Sequence, residues 1–421
     1  MSAPGIIPGL ERIERLLAGM GNPERDIDYV HIAGTNGKGS VSVLISSLLK
    51  EAGYRVGQFT SPHLHSYLER ITVSGAEIDG TVFLEYLEKI GKVIAAMEEE
   101  GFSRPSEFEI LTALAFQYFR DKEVDIAVLE VGMGGLYDSS NVITPLLSII
   151  TSIDYDHTAF LGKSLQEIAF NKAGIIKNGI PVIIGPMEKE AFKVISNRAK
   201  LQESTLYSSQ LLSVNRKAFS GLSGQFIDIS YEDKYLSGLF FSLLGDYQLK
   251  NLAIALQAIF HLRKSRFFVS DNHIRETLRK VSIPGRMEIF SKEPPVVFDL
   301  AHNPHAARAL ASSLHNFFPE NKGIMVVGLL DDKDASEFLK ELGKQCRSCV
   351  VTRPESPRAE EWQRVMPIWN RLFPQKEVFE KESIERAVEK GLSLMQKDEY
   401  LLVTGSFYVL DRARRYYVTK S

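Results

Sequence analysis

An α/β fold follows from two features of this 421-residue sequence. Short apolar runs alternate with stretches of helical periodicity along its whole length, which is the pattern of a parallel sheet wrapped by helices. Composition is that of an ordinary globular protein, 44% hydrophobic and 24% charged, so disordered, collagenous and fibrous classes are excluded. At roughly 100 to 200 residues per domain, the length favours two or three domains over one.

Read in order, the chain opens with an amphipathic helical segment, Met1 to Leu17, in which Glu11, Arg12, Glu14 and Arg15 interleave with apolar residues. This segment lacks the positive-then-apolar order of a signal peptide. Strands are expected at Tyr29 to Ala33, Arg55 to Thr60, Val124 to Val131, Leu146 to Ile153 and Pro181 to Ile184, with an amphipathic helix between most neighbours. From Glu203 to Leu243, short polar segments with Gly221, Gly224 and Gly238 read as an antiparallel embellishment of the first domain, ahead of a helix from Gln248 to Leu262. Pro284 and Gly285 in VSIPGRM mark an interdomain linker, which divides the chain into residues 1–283 and 284–421. In the second part, strands are expected at Pro295 to Leu300, Gly323 to Leu329, Ser348 to Thr352 and Tyr400 to Thr404. Helices are expected at Pro304 to Phe318, Asp334 to Gly343 and Ile384 to Met395. This is a smaller Rossmann-like unit without GxGxxG after its first strand, so nothing in it points to a dinucleotide.

Charge and apolar runs narrow the function. Fifty Lys and Arg against 53 Asp and Glu leave a net charge of −3, with no basic excess to neutralise a nucleic-acid backbone. The longest apolar stretches, Val124 to Val131 and Pro145 to Ile150, fall far short of the roughly 20 residues of a membrane span. Two cysteines accord with a reducing, cytoplasmic setting. They form a CxxC, Cys346 to Cys349, but a zinc site needs a second ligand pair that the sequence lacks, so they read as core residues.

The strongest local signal is YVHIAGTNGKGS, Tyr29 to Ser40, running into an apolar helix. Gly34 and Gly37 let the loop turn its amides toward a polyphosphate. The helix N-terminus adds a favourable dipole, and Lys38 places a point charge at the outer phosphates. Two residues rather than four separate Gly34 from Gly37, and the hydroxyl comes at Ser40 after Gly39, so the loop departs from the usual P-loop spacing. Glu130 closes a buried strand ahead of Val-Gly-Met-Gly-Gly135, the usual place for a magnesium ligand beside a phosphate loop. A third strand ends in Asp154-Tyr-Asp156-His157, so three strand ends carry Lys38 with Ser40, Glu130 and His157 to one edge. In the second part Asp299 again stands at a strand end, with Asn303 as an N-cap and Pro304 at the first helical position.

Nine segments in sequence carry a family resemblance: GTNGKGS (34–40), TSPHL (60–64), ERI (69–71), EVGMGG (130–135), DHTAFLG (156–162), NKAGIIK (171–177), PGR (284–286), DLAHNP (299–304) and GSFY (405–408). Together they resemble folylpolyglutamate synthase / dihydrofolate synthase, a branch of the Mur ligase superfamily. The chain departs mildly from the family pattern at Ser139-Ser140-Asn141 and at Leu300. The resemblance implies a P-loop-type ATPase domain followed by a glutamate-ligase domain. It also implies an ATP-dependent ligase that activates a folate or dihydropteroate carboxylate as an acyl phosphate and couples it to L-glutamate. By resemblance Gly34, Thr35, Asn36, Gly37, Lys38, Gly39 and Ser40 hold the nucleotide phosphates. Ser40 and Glu130 bind one magnesium that Ser61 also approaches. His157 and a carbamylated Lys172 bind a second. Asn251 and Asp299 lie near the nucleotide, Arg286 at its phosphates, and His302 and Ser406 toward glutamate. The resemblance further implies a monomer.

Two other functions compete. A Mur-type ligase acting on another carboxylate would turn over UDP-linked acceptors and no folates. A nucleotide-binding switch without ligase activity would hydrolyse ATP independently of glutamate. TSPHL and Arg286 speak against the switch.

Overall fold

Tyr29–Ala33 is buried at all five positions, a run with no solvent face, and it becomes the central strand of the first sheet. In the computed structural model, which describes residues 9–319 and 322–420, eight strands form this sheet. They are β1 (Tyr29–Ala33), β2 (Val56–Phe59), β3 (Ile71–Val73), β4 (Ala76–Glu77), β5 (Ile126–Glu130), β6 (Leu147–Ile150), β7 (Val182–Ile184) and β8 (Leu206–Ser208), in the order β4-β3-β2-β5-β1-β6-β7-β8. In that order the pairs from β2 to β8 are parallel, and at one end β3 pairs antiparallel with both β2 and β4. β1 lies between β5 and β6, with Ile32 opposite Glu130 and Ala33 opposite Ile150. Three loops therefore leave the same edge side by side, at the point where strand order reverses and α/β sheets bind ligands.

A small sheet follows, made of β9 (Leu212–Phe219), β10 (Gln225–Tyr231) and β11 (Lys234–Phe241). The last sheet contains β12 (Glu288–Lys292), β13 (Pro295–Phe298), β14 (Gly323–Val327), β15 (Cys346–Val351), β16 (Val378–Glu380) and β17 (Leu401–Thr404), ordered β12-β13-β17-β14-β15-β16. All its pairs are parallel except β12 with β13.

By packing, the chain divides into two units. One is Met1–Ser213 with Ser230–Lys234 and Lys250–Thr277; the other is Val214–Ile229 and Tyr235–Leu249 with Leu278–Ser421. The expected cut after residue 283 lies close to the start of the second unit's long segment. Residues 214–229 and 235–249, which the sequence reading attached to the first domain, pack with the second. The cause is side-chain contact: Phe219 meets Phe317 with ring centroids 4.4 Å apart, Leu222 leans on the second unit's core, and Lys292 Nζ donates to Ser223 Oγ at 2.7 Å.

Observed helices match the expected ones within a few residues: Lys38–Glu51, Asp246–Leu262, Pro304–Phe317, Ala335–Leu342 and Ile384–Leu394. At the N-terminus the helix is Glu11–Gly19, and residues 1–8 of the expected segment lie outside the described residues. Among the described residues no helix is long and apolar enough to cross a membrane. Cys346 and Cys349 are both buried in β15, and loss of water pushes the Cys346 thiol up to about 12, which leaves both inert as nucleophiles.

The loop after β5 and the turn after helix Leu165–Lys172 press together with no spare volume. A Cβ on Gly174 would come within 2.3 Å of Leu136 Cα, a backbone atom that cannot swing aside. Gly91, inside helix Gly80–Glu99, has open space instead. Gly174→Ala is expected to lower unfolding free energy by about 2 kcal/mol or more, while Gly91→Ala raises it by about 0.5–1 kcal/mol. Urea midpoints of both variants check this; an unchanged Gly174→Ala midpoint would show that the loop yields.

Candidate active site

The loop between β1 and helix Lys38–Glu51 is stitched to the end of β6. Thr35 N donates to Ser152 O at 2.8 Å, Asn36 N to Ser152 Oγ at 3.0 Å, and Thr151 Oγ1 to Asn36 O at 2.6 Å. Thr35 Oγ1 bonds the backbone of Asp154 in both directions, at 3.1 and 3.0 Å. Gly37 caps the helix with φ of 86°, and a Cβ there would also strike Asn251 Oδ1 at 2.5 Å, so this position requires glycine. The same contact places Asn251 against the loop.

Lys38 opens the helix, and its amine turns back onto the loop, donating to Gly34 O at 3.1 Å and Thr35 O at 3.4 Å. Ser40 is buried one turn in. Glu130, at the end of β5 and 4% exposed, lies over this turn: a Cβ on Gly39 would be 3.4 Å from Glu130 Oε2. Ser61 N donates to Glu130 Oε2 at 3.3 Å. The segment after Ser61 is held by Glu69, whose carboxylate accepts from Leu64 N, His65 N and Ser66 N at 2.7 to 2.9 Å. This makes ERI a loop anchor.

Lys172 ends helix Leu165–Lys172, is 4% exposed, and donates from Nζ to Gly34 O at 2.8 Å. Burial, then the neighbouring Lys38 charge, lowers its amine to about 7, against the pull of Asp156 and Asp138. The structure thus brings Lys38, Ser40, Ser61, Glu130 and Lys172 to one edge. His157 stands apart in character: it caps helix Thr158–Leu161 in left-handed backbone, 41% exposed, with Nε2 4.0 Å from Asp156 Oδ2.

In the second unit the carboxyl edge of the sheet gathers Arg286, Asp299, His302 and Ser406. Asp299 is buried and already engaged. Oδ1 accepts from Ala301 N at 2.8 Å, and Oδ2 accepts from Met287 N and Tyr247 Oη at 2.7 Å each. Burial raises its carboxyl above the usual range, against the nearby Arg286. His302 Nδ1 lies 2.9 Å from Leu300 O, and its ring is 6.3 Å from that of Phe407. Ser406 Oγ accepts from Val409 N at 3.3 Å in the first turn of helix Phe407–Lys420. Asn303 caps Pro304–Phe317 as expected, accepting from Ala306 N at 2.9 Å.

Comparison with known proteins identifies the family. The family profile for the Mur ligase middle domain matches residues 32–259, and that for the Mur ligase, glutamate ligase domain matches residues 285–407. A Bacillus subtilis dihydrofolate synthase/folylpolyglutamate synthase is 35% identical over 98% of this chain and 95% of its own length. The chain belongs to the Mur ligase family, in its folylpolyglutamate synthase/dihydrofolate synthase branch. Among solved structures, this Mur ligase resembles Mycobacterium tuberculosis folylpolyglutamate synthase complexed with ADP and AMPPCP, with TM-score 0.91 and 31% identity over 97% of this chain and 95% of that one. It also resembles Escherichia coli FolC in complex with DHPP and ADP, with TM-score 0.87 and 29% identity over 99% and 95%.

Sequence reasoning passed over a buried chain of polar groups in this Mur ligase. His31, inside β1, meets Ser140 Oγ through Nε2 at 2.8 Å, and Ser140 Oγ donates to Asp138, which also accepts from Met133 N at 2.9 Å. Since the serine proton goes to Asp138, His31 supplies the other proton from Nε2. A lone histidine in an apolar strand gives no signal of this; the following Asp138 and Ser140, in the loop after Glu130, were the available clue. Burial lowers the His31 imidazole from 6.5 to about 3. Between those values the unfolded chain takes up a proton that the folded one does not, so stability conferred here is complete above pH 6.5 and is lost as pH falls toward 3, by several kcal/mol in order of magnitude. NMR titration is expected to find this imidazole neutral at pH 5; a midpoint near 6.5 would contradict the buried chain.

Proposed function

We propose that this Mur ligase joins L-glutamate to the carboxylate of a folate or a dihydropteroate at the expense of ATP. The observation that carries the reading is the gathering of Lys38, Glu130 and Lys172 around the Gly34 loop in a chain of this branch. Residues 1–283 are read as the nucleotide domain and 284–421 as the glutamate domain. The protein is read as a cytoplasmic monomer acting on small molecules, without nucleic-acid or membrane partners.

In the reaction, an acceptor carboxylate oxygen attacks the γ-phosphorus of ATP, and ADP leaves. The glutamate amine then attacks the acyl phosphate carbon, phosphate departs from the tetrahedral intermediate, and a proton is released. Phosphoryl transfer of this kind needs positioning and charge neutralisation more than covalent help. The Thr35 and Asn36 amides are held by Ser152 and fix the loop, while amides in the first turn of helix Lys38–Glu51 and the Lys38 ammonium bind and orient the phosphates. Arg286 is assigned to the same phosphates, with Asn251 and Asp299 near the nucleotide and His302 and Ser406 toward glutamate. Asp299 acts here through the backbone it holds, since both of its oxygens already accept protein donors.

Magnesium fits the first edge. Glu130 with the Ser40 and Ser61 hydroxyls offers the oxygen set that magnesium completes with phosphate oxygens. Among the described residues no group of three or more His, Cys, Asp or Glu stands ready to hold a metal ion. When bound, it neutralises charge on the phosphates. A second magnesium is assigned to His157 and a carbamylated Lys172. An imidazole alone suits this ion poorly, whereas a carbamate supplies oxygen, and the lysine's lowered basicity leaves much of it neutral and open to carbon dioxide near pH 7.

Glu130→Gln is expected to lower kcat at least 1,000-fold, a loss of about 4 kcal/mol of transition-state stabilisation, with an unchanged melting temperature. Activity like that of the wild type would remove Glu130 from the metal site. The reading as a whole is tested by phosphate release with ATP and glutamate, comparing dihydropteroate with tetrahydrofolate as acceptor. One or both are expected to stimulate release; stimulation by neither, or release without glutamate, overturns it.

A further inference from the structure

Two lysine amines share one acceptor. Lys172 Nζ lies 2.8 Å and Lys38 Nζ 3.1 Å from the carbonyl oxygen of Gly34. The two nitrogens are therefore no more than about 6 Å apart, inside the range over which one charge acts on another. The other charged groups acting on Lys172 are carboxylates, those of Asp156 and Asp138. Asp138 is buried, as is Lys172 itself, so these charges interact with little screening by water.

Carbamate formation changes the sign at this point. The neutral Lys172 nitrogen attacks the carbon of carbon dioxide, forming an N–C bond; one C–O π pair moves onto oxygen, and the nitrogen's surplus proton passes to solvent. A neutral amine becomes an anion two bonds beyond Nζ, beside Asp138 and Asp156. A further buried negative charge is costly unless a cation adjoins it. Lys38, whose Nζ shares the Gly34 carbonyl oxygen with Lys172 Nζ, is the cation that adjoins it.

We propose that Lys38 has a second role besides holding phosphates: before nucleotide binds, it is the protein's own counter-ion to the Lys172 carbamate. Gly34 O holds the ammonium within about 6 Å of the nitrogen that carries the carbamate. The loop that grips the phosphates thereby also keeps the modification in place until they arrive. This rests on the carbamate reading of Lys172 given above.

The test is 13C NMR of the full chain equilibrated with 13C-labelled bicarbonate, in EDTA and without nucleotide, with circular dichroism to verify folding. The wild type is expected to show a carbamate resonance, reduced at least five-fold in Lys38→Met and Lys38→Gln and retained in Lys38→Arg. Equal resonances in wild type and Lys38→Met overturn the counter-ion role and leave the carbamate reading standing. So does a wild type that is silent in EDTA but gains the signal with magnesium, because the metal then holds the carbamate. Loss in Lys38→Arg to the level of Lys38→Met also overturns it, since positive charge is then not what matters. A wild type silent with and without magnesium overturns the carbamate reading itself.

Discussion

The chemistry of the first unit depends on four residues, 34–37, being fixed by hydrogen bonds from a neighbouring strand end. Residues 151–154, just past β6, take up the amides of Thr35 and Asn36 and the carbonyl of Asn36, groups that would otherwise compete for water. With those groups satisfied, the loop keeps one conformation. The Gly34 carbonyl then faces two amines. A phosphate-binding loop works through preorganisation: donors that need not move when charge arrives cost nothing at that moment. The central position of β1 makes this possible, because only a strand with parallel neighbours on both sides has loops on either hand to brace its own.

That rigidity has an electrostatic cost, borne by Lys172. Burying an ammonium beside Lys38 is unfavourable, and the lowered basicity of Lys172 is the measure of it. Functional sites concentrate such perturbed groups because their reactivity depends on them. The tight fit of Gly174 against Leu136 and the His31–Ser140–Asp138 chain brace the segments that carry Glu130 and Lys172, so neither can drift to relieve the strain.

Much of this arrangement was legible in the sequence, for physical reasons that also mark its limits. β1 is buried at every position and reads as a short apolar run broken only by His31, recovered residue for residue. β4, with two exposed residues, and the partly exposed β8, β12 and β16 lack such runs and were not expected. The hairpin segments around Phe219 read as an appendage of the first domain, because periodicity records that a residue is apolar and not which core it meets. Within the site, Lys38, Ser40 and Glu130 were visible because glycine, charge and strand end coincide there. Asp299 reads as a nucleotide neighbour, while its engagement with Tyr247 depends on a helix some fifty residues upstream that no local pattern reveals.

The central claim, that these residues serve carboxylate activation by phosphoryl transfer, is tested most directly by isotope transfer. Acceptor labelled with 18O in its reacting carboxylate, incubated with ATP and glutamate, is expected to yield inorganic phosphate carrying one 18O atom per turnover, because the acyl phosphate forms through that oxygen. Product formed at the normal rate with unlabelled phosphate would contradict the account.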